Sequence, residues 1–156
     1  MRIRVVAVGT RMPSWVDEAF TDYARRMPRH LSVELVEVRP EPRNEGKPVA
    51  ALLAAEAARL DAAIPADCSR VALDERGREF TTAAFAQWLE RQSGQGRDLA
   101  FLIGGPDGLA ATVLEQSPLR LRLSAFTLPH ALARVVLAEQ LYRAASILSG
   151  HPYHRA

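Results

Sequence analysis

The sequence predicts an α/β domain whose largely parallel sheet carries helices on both faces. Three observations support this. Short runs rich in Ile, Val and Leu recur along the chain, each closed by Gly, Pro or charged turn residues, as interior strands are. Amphipathic or alanine-rich stretches of helical length separate them. The runs are mostly apolar throughout, which suits strands covered on both sides and therefore linked by helical crossovers.

In order along the chain, Arg2–Val8 reads as a buried strand ending at Gly9. Ser14, with Asp17 three residues on, reads as the N-cap of an amphipathic helix to about Arg26. Leu31–Val38 alternates apolar and polar residues as a half-exposed strand does. Arg39–Lys47 is polar, contains two prolines and a glycine, and reads as a mobile loop. Pro48 opens an alanine-rich helix to about Ile64. Arg70–Leu73 is a short buried strand followed by the turn Asp74–Gly77, and Thr81 caps a helix to about Gln92. Asp98–Ile103 is a further interior strand, followed by the glycine-rich turn Gly104–Gly108 and a short helix over Leu109–Gln116. Leu119–Leu123 is the last strand, Ser124–Leu128 a tight apolar loop, and Pro129 opens the longest helix, to about Leu148 with Gly150 as its stop. No repeat, low-complexity tract or interdomain linker interrupts residues 1–156, so the expectation is a single domain.

Composition narrows the class. The chain is 48% hydrophobic and 24% charged, too apolar for a disordered protein. Cys68 is its one cysteine, so neither an intrachain disulfide nor a cysteine zinc cluster can form. No run approaches the ~20 apolar residues of a membrane span, and the opening Met1–Val8 segment is too short for a signal h-region. The simplest expectation is a soluble cytoplasmic protein. The net charge is only +2, but residues 116–156 carry five arginines against the single Glu139, together with three of the four histidines. A basic end on a nearly neutral domain points to an anionic partner, nucleic acid first. Nineteen of the twenty basic residues are arginine, so compositional bias is the competing account.

Three loops follow directly after strands, at Leu73, Gly104 and Leu123, and a parallel sheet brings such loops to one edge. The glycines let a ligand approach the backbone closely. The run Leu123, Ser124, Ala125, Phe126, Thr127, Leu128 offers backbone hydrogen bonds in an apolar wall, suited to a flat heterocycle such as adenine. A lone Gly-Gly-Pro-x-Gly is also an ordinary strand-to-helix turn, and it lacks the spacing of a dinucleotide fingerprint or a P-loop. The terminal His151-Pro-Tyr-His-Arg155 packs two imidazoles, a phenol and a guanidinium into five positions. Tyr153 suits stacking on a base, Arg155 suits a phosphate, and His154 suits proton transfer. Two histidines three apart also suit a metal, but no acid or cysteine lies nearby to complete the site, so no metal is expected. His130, Cys68, Trp15 and Trp88 read as packing residues, and the last helix is apolar around enough of its circumference to be buried on more than one side.

Val6-Ala-Val-Gly-Thr10, Leu102-Ile-Gly-Gly-Pro-Asp-Gly108, Leu123-Ser-Ala-Phe-Thr-Leu-Pro-His130, Glu139-Gln-Leu-Tyr-Arg-Ala144 and His151-Pro-Tyr-His-Arg155 together resemble the RlmH family. These are ribosomal large-subunit pseudouridine N3-methyltransferases of the SPOUT superfamily. The resemblance runs from end to end, with small departures at Ala131 and Ala145 that touch only the packing of the last helix. It implies methyl transfer from S-adenosylmethionine to N3 of pseudouridine 1915 in 23S ribosomal RNA. The small surface and weak basic excess argue against tight binding to naked RNA, so the expected substrate is the assembled ribosome. The resemblance also implies a C-terminal trefoil knot and a homodimer with the active site between subunits. By position, Leu73, Gly104 and Leu123 to Leu128 become the cofactor contacts. His154, Arg155 and Tyr153 become the candidates for accepting the N3 proton, stabilising the developing imide anion and orienting the base. Two other functions compete: a SPOUT enzyme for another RNA position, and a non-enzymatic ribosome-associated RNA-binding protein.

Overall fold

The computed structural model describes residues 1–44 and 46–155. Five strands form one all-parallel sheet: β1 (Arg2–Val8), β2 (Ser32–Val38), β3 (Ser69–Glu79), β4 (Leu99–Ile103) and β5 (Leu119–Arg122), in the order β2-β1-β4-β3-β5. The helices are α1 (Ser14–Arg26), α2 (Val49–Ala63), α3 (Thr82–Ser93), α4 (Ala111–Glu115) and α5 (His130–Ser149), with a closing 3-10 turn over Pro152–Arg155. Alternation along each strand divides the core in two. Ile3, Val5 and Ala7 of β1 and Leu99, Phe101 and Ile103 of β4 face α1, α3 and α5. Val6, Val8, Ala100 and Leu102 face α2 and α4. The sandwich of helix, sheet and helix is the predicted one, and it explains why the central strands are apolar at every position.

Four local expectations are corrected. Ser14 is the first helical residue rather than the cap; Pro13 holds the cap position with no side-chain hydrogen bond. The third strand does not end at Leu73. Asp74–Gly77 bulges out, with Asp74 Oδ1 accepting from the Arg76 amide at 3.0 Å, and pairing then resumes, so that both Leu73 and Arg78 register with Leu121. The loop Arg39–Lys47, of which Glu45 lies outside the described residues, is pinned at Glu41, Arg43 and Lys47 rather than free: Arg43 donates to the buried Glu56 carboxylate at 2.6 Å and reaches Asp107 at 3.1 Å, while Glu41 pairs with Arg59 and Lys47. Trp15 is half exposed, whereas Trp88 and Cys68 are buried as expected, and burial pushes the Cys68 thiol up. The Thr81 cap is as predicted, its side chain accepting from the Ala84 amide at 3.1 Å.

Arg134 is the largest fully buried side chain. From α5 it donates to Glu37 at 2.6 Å and to the Gly9 carbonyl at 2.8 Å, tying the last helix to the carboxyl ends of β1 and β2. Gly9, at φ 126°, leaves this guanidinium room: a Cβ there would lie 3.2 Å from Nη2 and closer still to Met12. Removing one member of a buried pair leaves the other uncompensated. Because Glu37 keeps partial solvent contact, Arg134→Met is expected to lower the unfolding free energy in urea by roughly 3 kcal/mol, the lower end for such a loss.

Candidate functional site

The carboxyl ends of β4, β3 and β5 lie side by side, and the loops leaving them wall a cleft of about 860 Å³. Its apolar wall includes Leu73, Leu121, Leu123 and Leu128, and its floor includes Ile103. The turn Gly104–Gly108 forms one lip, closed by the Gly108 amide donating to the Gly105 carbonyl at 3.0 Å. Gly104 has no room for a side chain: a Cβ there would land on the backbone of Gly108. The opposite wall is the loop after β5, shaped by its own hydrogen bonds. Ser124 Oγ accepts from the Phe126 amide at 2.9 Å, and Arg122 donates to the carbonyls of Ser124 and Ala125 while pairing with Glu79. Pro129, His130 and Ala133 close the cleft at the start of α5.

Of the residues expected to contact the donor, Leu73, Gly104, Leu123, Ser124, Phe126, Thr127 and Leu128 all line this cleft. Ala125 does not; its carbonyl is turned to Arg122. Phe126 is 85% exposed at the rim, unusual for so large an apolar ring. Sequence reasoning missed Asp74, Glu75 and Arg76 of the bulge, Arg122, and His130, which it took as packing only. Burial, and then the nearby Arg134 guanidinium, hold the His130 imidazole below its usual pKa. Above pH ~6.5 the ring is neutral in both folded and unfolded chains; as pH falls below that, the unfolded chain binds the proton first. Stability is therefore expected to drop from pH ~6.5 downward until the folded ring also titrates, and His130→Asn should flatten that drop in urea titrations across pH 5–7.

The tail lies elsewhere. Tyr153 packs against Tyr142 with centroids 4.5 Å apart, lies under the Arg143 guanidinium at 4.9 Å, and donates its hydroxyl to Glu139 at 3.1 Å. Burial is the largest of the causes that push the Tyr153 phenol up. His154 is partly buried, its Nδ1 without a hydrogen-bond partner among the described residues, and Arg155 is exposed. None of the three lines the cleft. Tyr142 and Arg143 stand about ten residues beyond Ala133 on α5, roughly 15 Å along its axis at 1.5 Å per residue. The two groups of candidate residues are thus separated within one chain. Among the described residues no cluster of three or more His, Cys, Asp or Glu could hold a metal, and no helix is long and apolar enough to cross a membrane.

Comparison with known proteins places this geometry. The family model described as "Predicted SPOUT methyltransferase" matches residues 1–154. Among curated relatives, a protein of Bordetella avium named "Ribosomal RNA large subunit methyltransferase H" is 56% identical over 156 residues, all of both chains. One of the same name from Laribacter hongkongensis is 53% identical over 155 residues, 99% of each. Among solved structures, a probable methyltransferase from Bordetella pertussis Tohama I superposes with a TM-score of 0.57 at 19% identity, over 92% of this chain and 95% of that one, which supports the fold. The chain belongs to the SPOUT methyltransferase family.

Proposed function

We propose that this protein transfers a methyl group from S-adenosylmethionine to N3 of a pseudouridine in 23S ribosomal RNA. The observation that carries the reading is the single cleft formed by three strand-end loops in a chain of this family. Its volume, its apolar wall and the bare backbone at Gly104, Gly105 and Gly108 suit a flat adenine with a polar tail. Leu73, Gly104, Leu123 and Leu128 would hold the donor, with Arg122 fixing the loop that carries Ser124 and Ala125. When bound, S-adenosylmethionine supplies an activated methyl on a sulfonium. The chain's own residues then position the acceptor and handle its proton. Arg155 would stabilise the charge developing on the imide, and His154 would accept the N3 proton as N3 takes the methyl and the donor's S–CH3 bond breaks, leaving a neutral thioether. Tyr153, fixed to Glu139, sets the direction of the tail; its hydroxyl already has that partner, which favours anchoring over stacking.

The distance from tail to cleft supports a homodimer in which each tail serves its partner's cleft. The exposed Phe126 at the rim is an apolar surface for that partner to cover. Residues 1–156 then act as one knotted SPOUT domain in the cytoplasm, where its ribosomal substrate resides. Incubating the protein with methyl-labelled donor and either intact ribosomes or free 23S RNA tests the reading. Label on N3 of one pseudouridine, faster on ribosomes, is the expected result. Label on another atom or position favours a different RNA specificity, and no label with no heat of donor binding in calorimetry overturns the enzyme.

A further inference from the structure

The carboxyl end of α1 and the turn after it carry a group of cations that nothing in the cleft requires. From residue 23 to residue 30 there are three arginines and a histidine, Arg25, Arg26, Arg29 and His30, and no acid. Favourable interaction with the helix dipole accounts for Arg25 and Arg26 in the last turn of α1, but Arg29 and His30 lie beyond the helix, at the tip of a turn closed by the Leu31 amide donating to the Pro28 carbonyl. All four are exposed. Arg26 pairs with Asp22 and lies 5.8 Å from the rings of both Tyr23 and Tyr142. Arg25 and Arg29 make no ion pair among the described residues.

Tyr142 joins this group to the tail. One side of its ring meets Arg26, and Tyr153 lies 4.5 Å from its centroid. The tail itself adds His151 and the exposed Arg155. Exposed arginines without an ion-pair partner among the described residues, Arg25 and Arg29, beside an Arg26 fixed between Asp22 and two tyrosines are the pattern of a surface that receives phosphates.

We propose that the carboxyl end of α1 and the Pro28–Leu31 turn form, with the tail, the surface that receives the sugar–phosphate backbone of the acceptor RNA. This rests on the RNA-methyltransferase reading above. It divides the work between subunits: one protomer's cleft holds the methyl donor, and the other's α1 end and tail hold the RNA. Arg25 and Arg29 are the phosphate contacts, and Arg26 is held by its tyrosines.

The double variant Arg25→Gln, Arg29→Gln tests this by binding and by turnover. Co-sedimentation with intact ribosomes across a salt series gives the slope of log affinity against log salt. Losing two phosphate contacts is expected to reduce that slope by about 1.5 and to weaken binding roughly tenfold at physiological salt. In methyl transfer KM rises correspondingly, while kcat at saturation and the donor Kd stay unchanged. Arg39→Gln, an exposed cation at the far end of β2, is the control for bulk charge. If the double variant keeps the unmodified slope, or shifts it no more per charge than Arg39→Gln does, the proposal is overturned. The binding assay needs no catalysis, so it reports on this surface even if the unmodified protein transfers no methyl group, a result that would count against the enzymatic reading instead.

Discussion

Gly104→Val is expected to raise the dissociation constant for S-adenosylmethionine by roughly 100-fold while the chain stays folded, because a displacement of about 1 Å in a positioning loop costs on that order. The Cβ of any residue larger than glycine would clash with the Gly108 carbonyl oxygen and lie 2.5 Å from its carbon. Both are backbone atoms closed into a turn by the Gly108-to-Gly105 hydrogen bond, so no flexible side chain can yield. Relief comes only from opening the lip. That lip is also held from outside by the Asp107–Arg43–Glu56 chain of ion pairs, which resists the rearrangement. Gly94→Ala is the matched control, since a Cβ there meets nothing closer than 3.5 Å on a right-handed helical backbone. Calorimetry with the donor decides; a Kd within threefold of the unmodified protein would show that the lip does not touch it.

Arg155→Ala is expected to reduce kcat by roughly 10²- to 10³-fold, the usual loss when one preorganised donor to a developing negative charge is removed. Donor affinity should be unchanged, because the role assigned to Arg155 is toward the acceptor imide rather than toward the donor. Mixing makes the effect diagnostic. Dimers co-refolded from equal amounts of Arg155→Ala and Gly104→Val should regain about a quarter of the unmodified activity, since half the dimers are mixed and each carries one intact composite site. If the tail served its own cleft, every site would contain one defect and the mixture would stay inactive. Activity that survives in Arg155→Ala alone would remove the tail from the chemistry.

Much of this molecule was legible in the order of its residues. The apolar runs of the central strands and the helical stretches between them gave a parallel sheet clothed on both faces, because a strand buried on both sides has nowhere to put polar groups. The same logic gathered Leu73, Gly104 and the run from Leu123 to Leu128 at one edge, since in a parallel sheet every carboxyl end points the same way. Local chemistry also marked Thr81 and Gly150 as helix boundaries, the latter at φ 72° where only glycine is at ease. It failed at Ser14, where proline at the cap position leaves the hydroxyl unused. It failed again at Asp74–Gly77, because a bulge and a strand-ending turn use the same residues and only the neighbouring strand tells them apart.

Contacts between residues distant in sequence were invisible. No spacing rule links Arg43 to Asp107, 64 positions away, or Arg134 to Glu37, 97 positions away, so a loop that composition marks as mobile proves to be tied to the cleft's glycine lip. The sequence by itself settled the fold class and the chemistry each loop offers, because secondary structure and sheet direction follow from short-range pattern. Only the tertiary structure decided that the tail and the cleft stand apart on one chain, because that separation is set by the length of α5 and by which of its side chains Tyr153 happens to grip.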